Sequence, residues 1–374
     1  MFLLSKLKEI YVNFRGFHTN RKLIVIESDD WGSIRMPSKS TYDLLLKEGD
    51  CTNEDAFLKN DSLESEKDLK ALFDTLSKIK NSKGESPIFT ANFAVANPNF
   101  ELINYSKDVY AYEPFYVTYS NYYPDNNNIE IIKKAIDERL FFPQLHCREH
   151  LNVKKWMKDL KQGKKDTKIA FENKMIGIGR SFAKDNKFGY MDAFNMEYNT
   201  SKDIDSIIND ANSIFSDVFG YKSATFVASC FVWNEDLEKT LYHNGIFGIQ
   251  SSYWQNIPKK NGIYKRKIHF TGEKNKYGQI YLVRNCSYEP AYFNNPKECS
   301  EKCLEQIRSA FKNHKPAIIN SHRFNYISSI NFNNAVDNLF YLSDMLNKII
   351  EEFPMVEFIT SAELIEIIKK GSKK

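Results

Sequence analysis

A short apolar run near the amino terminus gives the clearest structural signal in the chain. The run is Leu23-Ile24-Val25-Ile26, and it leads into Glu27-Ser28-Asp29-Asp30-Trp31-Gly32-Ser33. Four consecutive branched aliphatic residues are too few for a helix, and Gly32 bounds them downstream. They therefore predict a strand that is buried on both faces, as strands of parallel sheets are.

Strand-like and helix-like segments alternate along the rest of the chain, which is the pattern of a parallel sheet covered by helices. Further strands are predicted at 88–95, 141–145, 224–229, 247–251, 317–321 and 356–360. Helices are predicted at 40–47, 66–80, 129–138, 153–161, 202–219, 234–243, 296–312, 333–352 and 362–370. About seven strands with intervening helices predict an α/β fold, a single distorted (β/α) barrel domain over residues 1–374.

Two segments interrupt this alternation and are predicted to be insertions at the rim of the barrel. Residues 97–128 are rich in Tyr, Asn and Pro; their rings could stack on sugars, but packing of this loop onto its own scaffold is the simpler interpretation. Residues 255–292 contain a basic stretch and a strand-like segment at 279–283, which together predict a small antiparallel insertion. Residues 1–20 predict a short amphipathic helix and a loop.

Composition and charge narrow the classes of protein to consider. The chain has 374 residues, 52 basic and 48 acidic, and its formal charge of +4 is too evenly spread to indicate a nucleic-acid partner. No stretch reaches the ~18 apolar residues of a membrane span, and the amino terminus lacks the cleavage site of a secretory signal. Six scattered cysteines match neither a disulfide framework nor zinc knuckles. These features predict a cytoplasmic protein with reduced thiols.

The first candidate for chemistry is the pair of carboxylates at the end of the first strand. Asp29 and Asp30 are adjacent, so their side chains point to opposite faces unless the backbone turns, as Gly32 and Ser33 indicate. Such a turn would aim both acids into one site, where α/β enzymes place metal ligands and general bases. The alternative is a cap on the helix that follows Met36-Pro37.

The second candidate is the histidine pair His146 and His150, which follows the strand predicted at 141–145. On a helix, residues at i and i+4 lie on one face with β-carbons about 6 Å apart, so both rings can bind a single ion. Two imidazoles and one carboxylate leave coordination positions open for water and substrate, as a catalytic metal site requires. Solvated histidines on a helix are the alternative.

A third candidate is His322, which ends the apolar strand predicted at 317–321. A histidine at the carboxyl end of a buried strand is well placed to act as a general acid. A hydrogen-bonded structural histidine is the alternative.

These three groups, in this order along the chain, resemble the motifs of the polysaccharide deacetylases, carbohydrate esterase family four. Asp29-Asp30 stands where that family has Thr-Phe-Asp-Asp-Gly, His146-x-x-x-His150 where it has His-(Ser/Thr)-x-x-His, and Asn320-Ser321-His322 where it has Leu-x-His. The resemblance covers about residues 23–360. It implies that Asp30, His146 and His150 bind a divalent metal, that Asp29 is the base, and that His322 is the acid.

The chain departs from the family pattern at the arginine that orients the base. Where the family has Arg-x-Pro-Tyr, this chain has Val227-Ala228-Ser229-Cys230. Arg148 and Arg323 are the candidates to replace the lost guanidinium, and with Trp31 they are the candidate substrate-binding residues. The motif that orients the family's histidine is also not visible, unless Ser251-Ser252-Tyr253-Trp254 is its remnant.

The resemblance implies a metal-dependent hydrolase that removes acetyl groups, N-acetyl above all, from a carbohydrate in surface polysaccharide metabolism. Zinc is the expected ion, with cobalt, nickel, manganese and iron as alternatives. A metal-dependent glycosidase remains open; it needs a second carboxylate about 5–9 Å from the first, for which Glu27 and Glu149 are the candidates. A non-catalytic glycan-binding protein is the third hypothesis, favoured by the missing arginine.

Overall fold

The computed structural model describes residues 13–52, 54–178, 189–259 and 261–371, so most of the helix predicted within residues 1–20 lies outside the described residues. The strands are β1 (Leu23–Trp31), β2 (Phe89–Ala94), β3 (Ala96–Pro98), β4 (Tyr112–Pro114), β5 (Phe141–Cys147), β6 (Thr225–Val227), β7 (Gly248–Ser251), β8 (Trp254–Pro258), β9 (Tyr264–Ile268), β10 (Ile280–Val283), β11 (Cys286–Ser287), β12 (Ala317–His322) and β13 (Glu357–Phe358). The α-helices are α1 (Lys39–Glu48), α2 (Ala56–Asn60), α3 (Glu66–Ser77), α4 (Phe115–Tyr122), α5 (Asn128–Asp137), α6 (Val153–Lys161), α7 (Lys165–Glu172), α8 (Ser201–Phe219), α9 (Glu235–His243), α10 (Pro296–Lys312), α11 (Phe332–Glu352) and α12 (Ser361–Gly371).

The main sheet has nine strands in the order β10-β7-β6-β5-β2-β1-β12-β11, with β13 paired to β1. Every pairing within it is parallel. The apolar runs Leu23–Ile26 and Ala317–Ile319 are buried on both faces, as helix-covered parallel strands require. The predicted α/β class and distorted (β/α) barrel are therefore confirmed, with more strands than the seven expected.

The sheet curls until its two edges are close together. The edge strands β10 and β11 lie at opposite ends of the strand order, yet only Arg284 and Asn285 separate them in sequence. Three Cα–Cα steps join Val283 to Cys286 and span at most about 11 Å, so the curl brings the edges of the barrel together. Arg284 consequently lies between the edges, facing the barrel interior.

The segment that follows the basic stretch differs from the prediction. The strand Ile280–Val283 is not part of an antiparallel insertion, because it pairs in parallel with Gly248–Ser251 as an edge of the main sheet. The antiparallel part of this region is the hairpin of β8 and β9. Within 97–128, a second antiparallel pair, β3 with β4, leads into α4.

Side-chain alternation divides the barrel interior into layers. On β1, Ile24 and Ile26 belong to the core between sheet and outer helices, whereas Leu23 and Val25 pack inside with α12. The next residues with inward-facing side chains, Glu27 and Asp29, continue the same face toward the carboxyl end. The interior thus changes from an apolar layer at one end to a charged layer at the other. In the described parts of the chain, no helix is both long and apolar enough for a membrane span.

Candidate active site and metal centre

The candidate residues meet at the carboxyl ends of β1, β5 and β12. Because parallel strands end at a common edge, residues far apart in sequence come together there. A cavity of about 400 Å³ opens at this edge. It is lined by all five predicted side chains, Asp29, Asp30, His146, His150 and His322.

A bulge at the end of β1 turns both carboxylates into this pocket. Asp30 has a φ of 73°, and the pairing of β1 with β2 shifts register between Ser28 and Trp31. The left-handed residue breaks the alternation of side chains, so Asp30 faces the same pocket as Asp29. Neither acid caps the following helix, because the N-cap of α1 is Ser38.

The two histidines do not lie on a helix as predicted. His146 belongs to β5, and His150 lies in the bend that precedes α6. The bend brings the rings to a centroid distance of 4.8 Å. The Nε2 atoms of His146 and His150 lie 3.4 Å and 3.6 Å from Oδ1 of Asp30.

The chemistry of these three groups fits a bound cation. Nδ1 of His146 lies 2.7 Å from the Val227 carbonyl oxygen, which can only accept, so Nδ1 carries a proton and Nε2 is the ring nitrogen that faces Asp30. Burial lowers the pKa of His150 to about 3, so this ring is neutral and can act as a ligand. Oδ1 of Asp30 is buried without a hydrogen-bond partner. One possible ligand atom from each of the three residues thus lies within 4.8 Å of the other two.

Asp29 is held by Arg284, a residue that the sequence analysis did not identify. The Nη1 and Nη2 atoms of Arg284 donate to the two oxygens of Asp29, each at 2.7 Å, and Nε donates to Glu27 at 2.7 Å. Burial opposes the charge on Asp29, but Arg284 outweighs it and lowers the pKa to about 2. Asp29 is thus a carboxylate at neutral pH, fixed in position by two hydrogen bonds from the Arg284 guanidinium.

His322 has a second unpredicted partner, Glu289. Nδ1 of His322 lies 2.6 Å from Oε1 of Glu289, and Nε2 lies 4.0 Å from Oδ2 of Asp29. Burial disfavours the imidazolium, but Glu289 stabilises it and raises the pKa of His322 to about 9. The ring is therefore protonated at neutral pH.

The sequence carried one usable signal for Arg284 and none for Glu289. Arg284 follows an apolar strand directly, as Asp29 and His146 do, and treating 279–283 as a barrel strand would have placed it at the same edge. Glu289 precedes a 3-10 turn at Pro290–Tyr292, and only the tertiary structure brings it to His322.

The three predicted substrate-binding residues lie outside the pocket lining. Trp31 is 1% exposed and packs edge-on against Phe141, because the bulge at Asp30 turns it to the helix side of the sheet. Arg323 is fully buried in ion pairs with Asp61 and Glu64. Arg148 pairs with Glu149 and Asp210 beside the ring of Tyr112. All three stabilise the scaffold around the site.

The tyrosine-rich segment also packs largely onto the scaffold. Tyr119 is fully buried and donates to Glu64, while the hydroxyl of Tyr123 donates to the Leu63 carbonyl. The acids considered for a glycosidase are likewise engaged, because Glu27 pairs with Arg284 and Glu149 pairs with Arg148. Both are almost completely buried.

Comparison with known proteins gives structural matches only. No family model and no curated protein match the chain. The fold resembles that of a protein described as a polysaccharide deacetylase from Mycobacterium smegmatis, at 8% identity and a TM-score of 0.49 over 96% of this chain and 94% of that one. It also resembles 4-alpha-glucanotransferase from Thermococcus litoralis, at 9% identity and a TM-score of 0.49 over 92% of this chain and 40% of that one.

A third match is a CE4 family pseudoenzyme from Bacillus anthracis, at 10% identity and a TM-score of 0.42 over 93% of this chain and 66% of that one. At these identities the likeness concerns the fold. The solved structures that this chain resembles in fold thus include proteins described as a polysaccharide deacetylase and as a CE4 family pseudoenzyme.

Proposed function

We propose that this protein is a metal-dependent hydrolase that removes acetyl groups, N-acetyl above all, from a carbohydrate. The observation that carries the proposal is the convergence of possible ligand atoms from Asp30, His146 and His150, beside Asp29 and His322, which each have a charged partner of their own. Carboxylate and imidazole ligands suit zinc, the proposed ion, as they suit several other divalent metals. Bound there, the ion supplies Lewis acidity that polarises a carbonyl and activates water.

The chain's own groups provide the proton transfers of amide hydrolysis. Asp29, a carboxylate held by Arg284, accepts a proton from the attacking water as a new C–O bond forms at the carbonyl carbon. His322, protonated beside Glu289, donates its proton to the amide nitrogen as the C–N bond breaks. The products are a free amine and acetate, and one water is consumed.

The presence of Arg284 and Glu289 favours the enzyme over a non-catalytic binder. A binding protein has no need for a buried base clamped by a guanidinium or for an imidazolium held by a carboxylate. Burying each of these charged pairs costs desolvation free energy. Two such pairs beside one pocket are typical of a catalytic site. A carbohydrate is proposed as the substrate because the motifs resemble those of the polysaccharide deacetylases.

Metal content and acetate release test the proposal together. Purified wild type is expected to contain about one divalent metal per chain and to release acetate from N-acetylated sugars. Asp30→Asn is expected to lose most of the metal and the activity, whereas His322→Ala keeps the metal and loses turnover. Asp43→Asn, which removes an exposed carboxylate on α1, is the control and should change neither the metal content nor the activity.

Several outcomes would contradict the proposal. Metal-free wild type that stays inactive after zinc, cobalt or manganese is added would exclude a metal hydrolase. Release of new reducing ends without acetate would identify a glycosidase instead. Binding of sugars without release of acetate or of new reducing ends would indicate a non-catalytic glycan-binding protein.

A further inference from the structure

Within the described parts of the chain, the wall of the candidate active site offers few groups that could bind sugar hydroxyls. Apart from the acids and histidines already discussed, the charged side chains among these described lining residues are Arg35 and Asp55. Both are engaged: Arg35 bonds Asp30 at 3.2 Å, and Asp55 caps α2 by accepting from Phe57 and Leu58. The remaining wall is mainly apolar, with Phe57, Leu58, Ile176, Met191, Val227 and Phe231.

These apolar residues lie on two sides of the site. Phe57 contacts His322 at a ring-centroid distance of 5.7 Å, so it lies on the side of the acid. Val227 binds His146 through its carbonyl and lies with Ala228 and Phe231 at the end of β6. We call Val227, Ala228 and Phe231 the β6 wall.

The β6 wall is built on a strained backbone. Cys230 and Phe231 have φ values of 55° and 54°, and neither is glycine. A left-handed conformation at a residue other than glycine is unfavourable and persists only where the surroundings impose it. Here the Phe231 N–H donates to the Ala228 carbonyl at 2.9 Å, and Val232 N–H donates to the Ser229 carbonyl at 3.0 Å. Strain of this kind is concentrated at functional sites. Phe231 lines the pocket, and its ring centroid lies 5.5 Å from the Arg284 guanidinium.

The proposed reaction fixes which part of the substrate meets this wall. The amide nitrogen must face His322, which protonates it as the bond breaks. In a planar amide the nitrogen and the acyl carbon chain lie on different sides of the carbonyl carbon. The carbonyl oxygen faces the proposed metal ligands, so the acyl chain points away from both these ligands and His322, and the apolar surface on the side opposite His322 and Phe57 is the β6 wall.

We propose that the β6 wall binds the hydrocarbon part of an acyl group longer than acetyl. The substrate class is then an N-acyl amino sugar with a propionyl, butyryl or similar short aliphatic chain. This inference rests on the proposed function. Burying one methylene is worth about 0.8 kcal/mol, so kcat/KM should rise about fourfold for each one added.

The test compares acyl chain lengths on the metal-loaded full chain. Amine release is measured for N-acetyl-, N-propionyl- and N-butyryl-glucosamine. Wild type is expected to prefer butyryl, which has two more methylenes, over acetyl by about fifteenfold. Phe231→Ala is expected to bring this ratio close to one. The matched variant Phe57→Ala, on the acid side, is expected to keep the ratio whatever its overall rate.

Carboxylate binding gives a second readout that needs no turnover. Butyrate is expected to raise the melting temperature of wild type more than acetate does, and this difference should vanish in Phe231→Ala. If Phe231→Ala does not fold, Phe231→Leu, which keeps an apolar side chain at the β6 wall but removes the ring, replaces it and should reduce both the acyl ratio and the difference in melting temperature.

The two proposals fail in different ways. If acetyl is hydrolysed but propionyl is at least tenfold slower, the acyl inference is wrong and the hydrolase stands. If no N-acyl sugar is hydrolysed, the hydrolase is wrong. In that case a larger shift with butyrate than with acetate, dependent on Phe231, still supports the apolar wall, and equal shifts reject it.

Discussion

The protonation of His322 depends on one carboxylate. Glu289 accepts from Nδ1 of His322 and from Asn320, and its other oxygen accepts from Asn325, so this carboxylate is fixed in place. Its charge raises the pKa of His322 to about 9 against the opposing effect of burial. Since the raised pKa belongs to the folded state, the ion pair stabilises the protein below about pH 6.5 and the effect is lost as the pH passes 9.

Glu289→Gln should therefore move the alkaline limit of activity. The amide keeps the shape but loses the charge, so the pKa of His322 falls and kcat declines at lower pH than in wild type. A pH–rate profile of both proteins measures the shift. Glu357→Gln, which removes a distant surface carboxylate paired with Arg21, is the control and should leave the profile unchanged. Identical alkaline limits in all three proteins would show that His322 is not the acid.

Residues that end an apolar strand were the ones whose position the sequence could predict. Asp29, Asp30, His146 and His322 each follow such a run, and parallel strands end at one edge whatever their separation in sequence. Trp31 also follows the run, but the left-handed Asp30 turns it into the core. That conformation is not visible in the residue types, because aspartate adopts it only occasionally.

At the scale of elements, the carboxyl end of β1 is the part that shapes the site. The bulge at Asp30 and the turn at Gly32 follow each other directly, and Gly32 has a φ of 77°. Its N–H donates to Glu64 at 2.8 Å. A Cβ at this position would lie 2.7 Å from the Ala94 carbonyl oxygen, so the close approach of β2 needs glycine.

Gly32→Ala is expected to cost more stability than a matched glycine replacement. Gly49, which ends α1, has nearly the same φ, 78°, but a Cβ there meets nothing within 4 Å. Gly49→Ala should therefore cost about 1 kcal/mol for the conformation alone. Gly32→Ala should cost this plus the clash, about 2–4 kcal/mol in total. Denaturant unfolding of both variants measures the difference, and equal losses would contradict the close approach.

At this scale, the helix predicted for the two histidines was wrong because their i, i+4 spacing also fits the end of a strand followed by a bend. His146 and His150 at i and i+4 fit one face of a helix, but they lie on a strand end and a bend. The apolar residues before His146 belong to a strand that simply continues through it. Likewise, the strand-like segment 279–283 follows a basic stretch and is predicted to be part of an antiparallel insertion, whereas β10 is a parallel edge strand of the main sheet. Whether a short segment forms a strand, and in which sheet, depends on the strands that pair with it. A single sequence does not show which strands these are.

On the scale of the whole molecule, one buried network connects the closure of the barrel to the candidate site. Arg284 follows β10 at one edge of the sheet and reaches across the interior to Glu27 and Asp29 on β1. Nη2 also contacts Gln250 on β7 at 3.2 Å, and Nη1 contacts Asn320 on β12 at 2.5 Å. Four strands thus meet at a single guanidinium. Arg284, which orients the proposed base Asp29, therefore also links strands across the curled sheet.

Replacing Arg284 should therefore reduce stability and activity together. Arg284→Gln leaves two buried carboxylates without their cation, for which we expect a loss of about 3–5 kcal/mol in the free energy of unfolding. Arg21→Gln breaks an ion pair with Glu357 in which the arginine is 47% exposed, and should cost at most about 1 kcal/mol. Urea unfolding followed by tryptophan fluorescence compares the two variants. If both lose equally little, Arg284 does not hold the barrel. If Arg284→Gln unfolds easily but a metal-loaded, folded fraction keeps full turnover, the guanidinium serves the fold alone, and Asp29 needs no cation to act as the base.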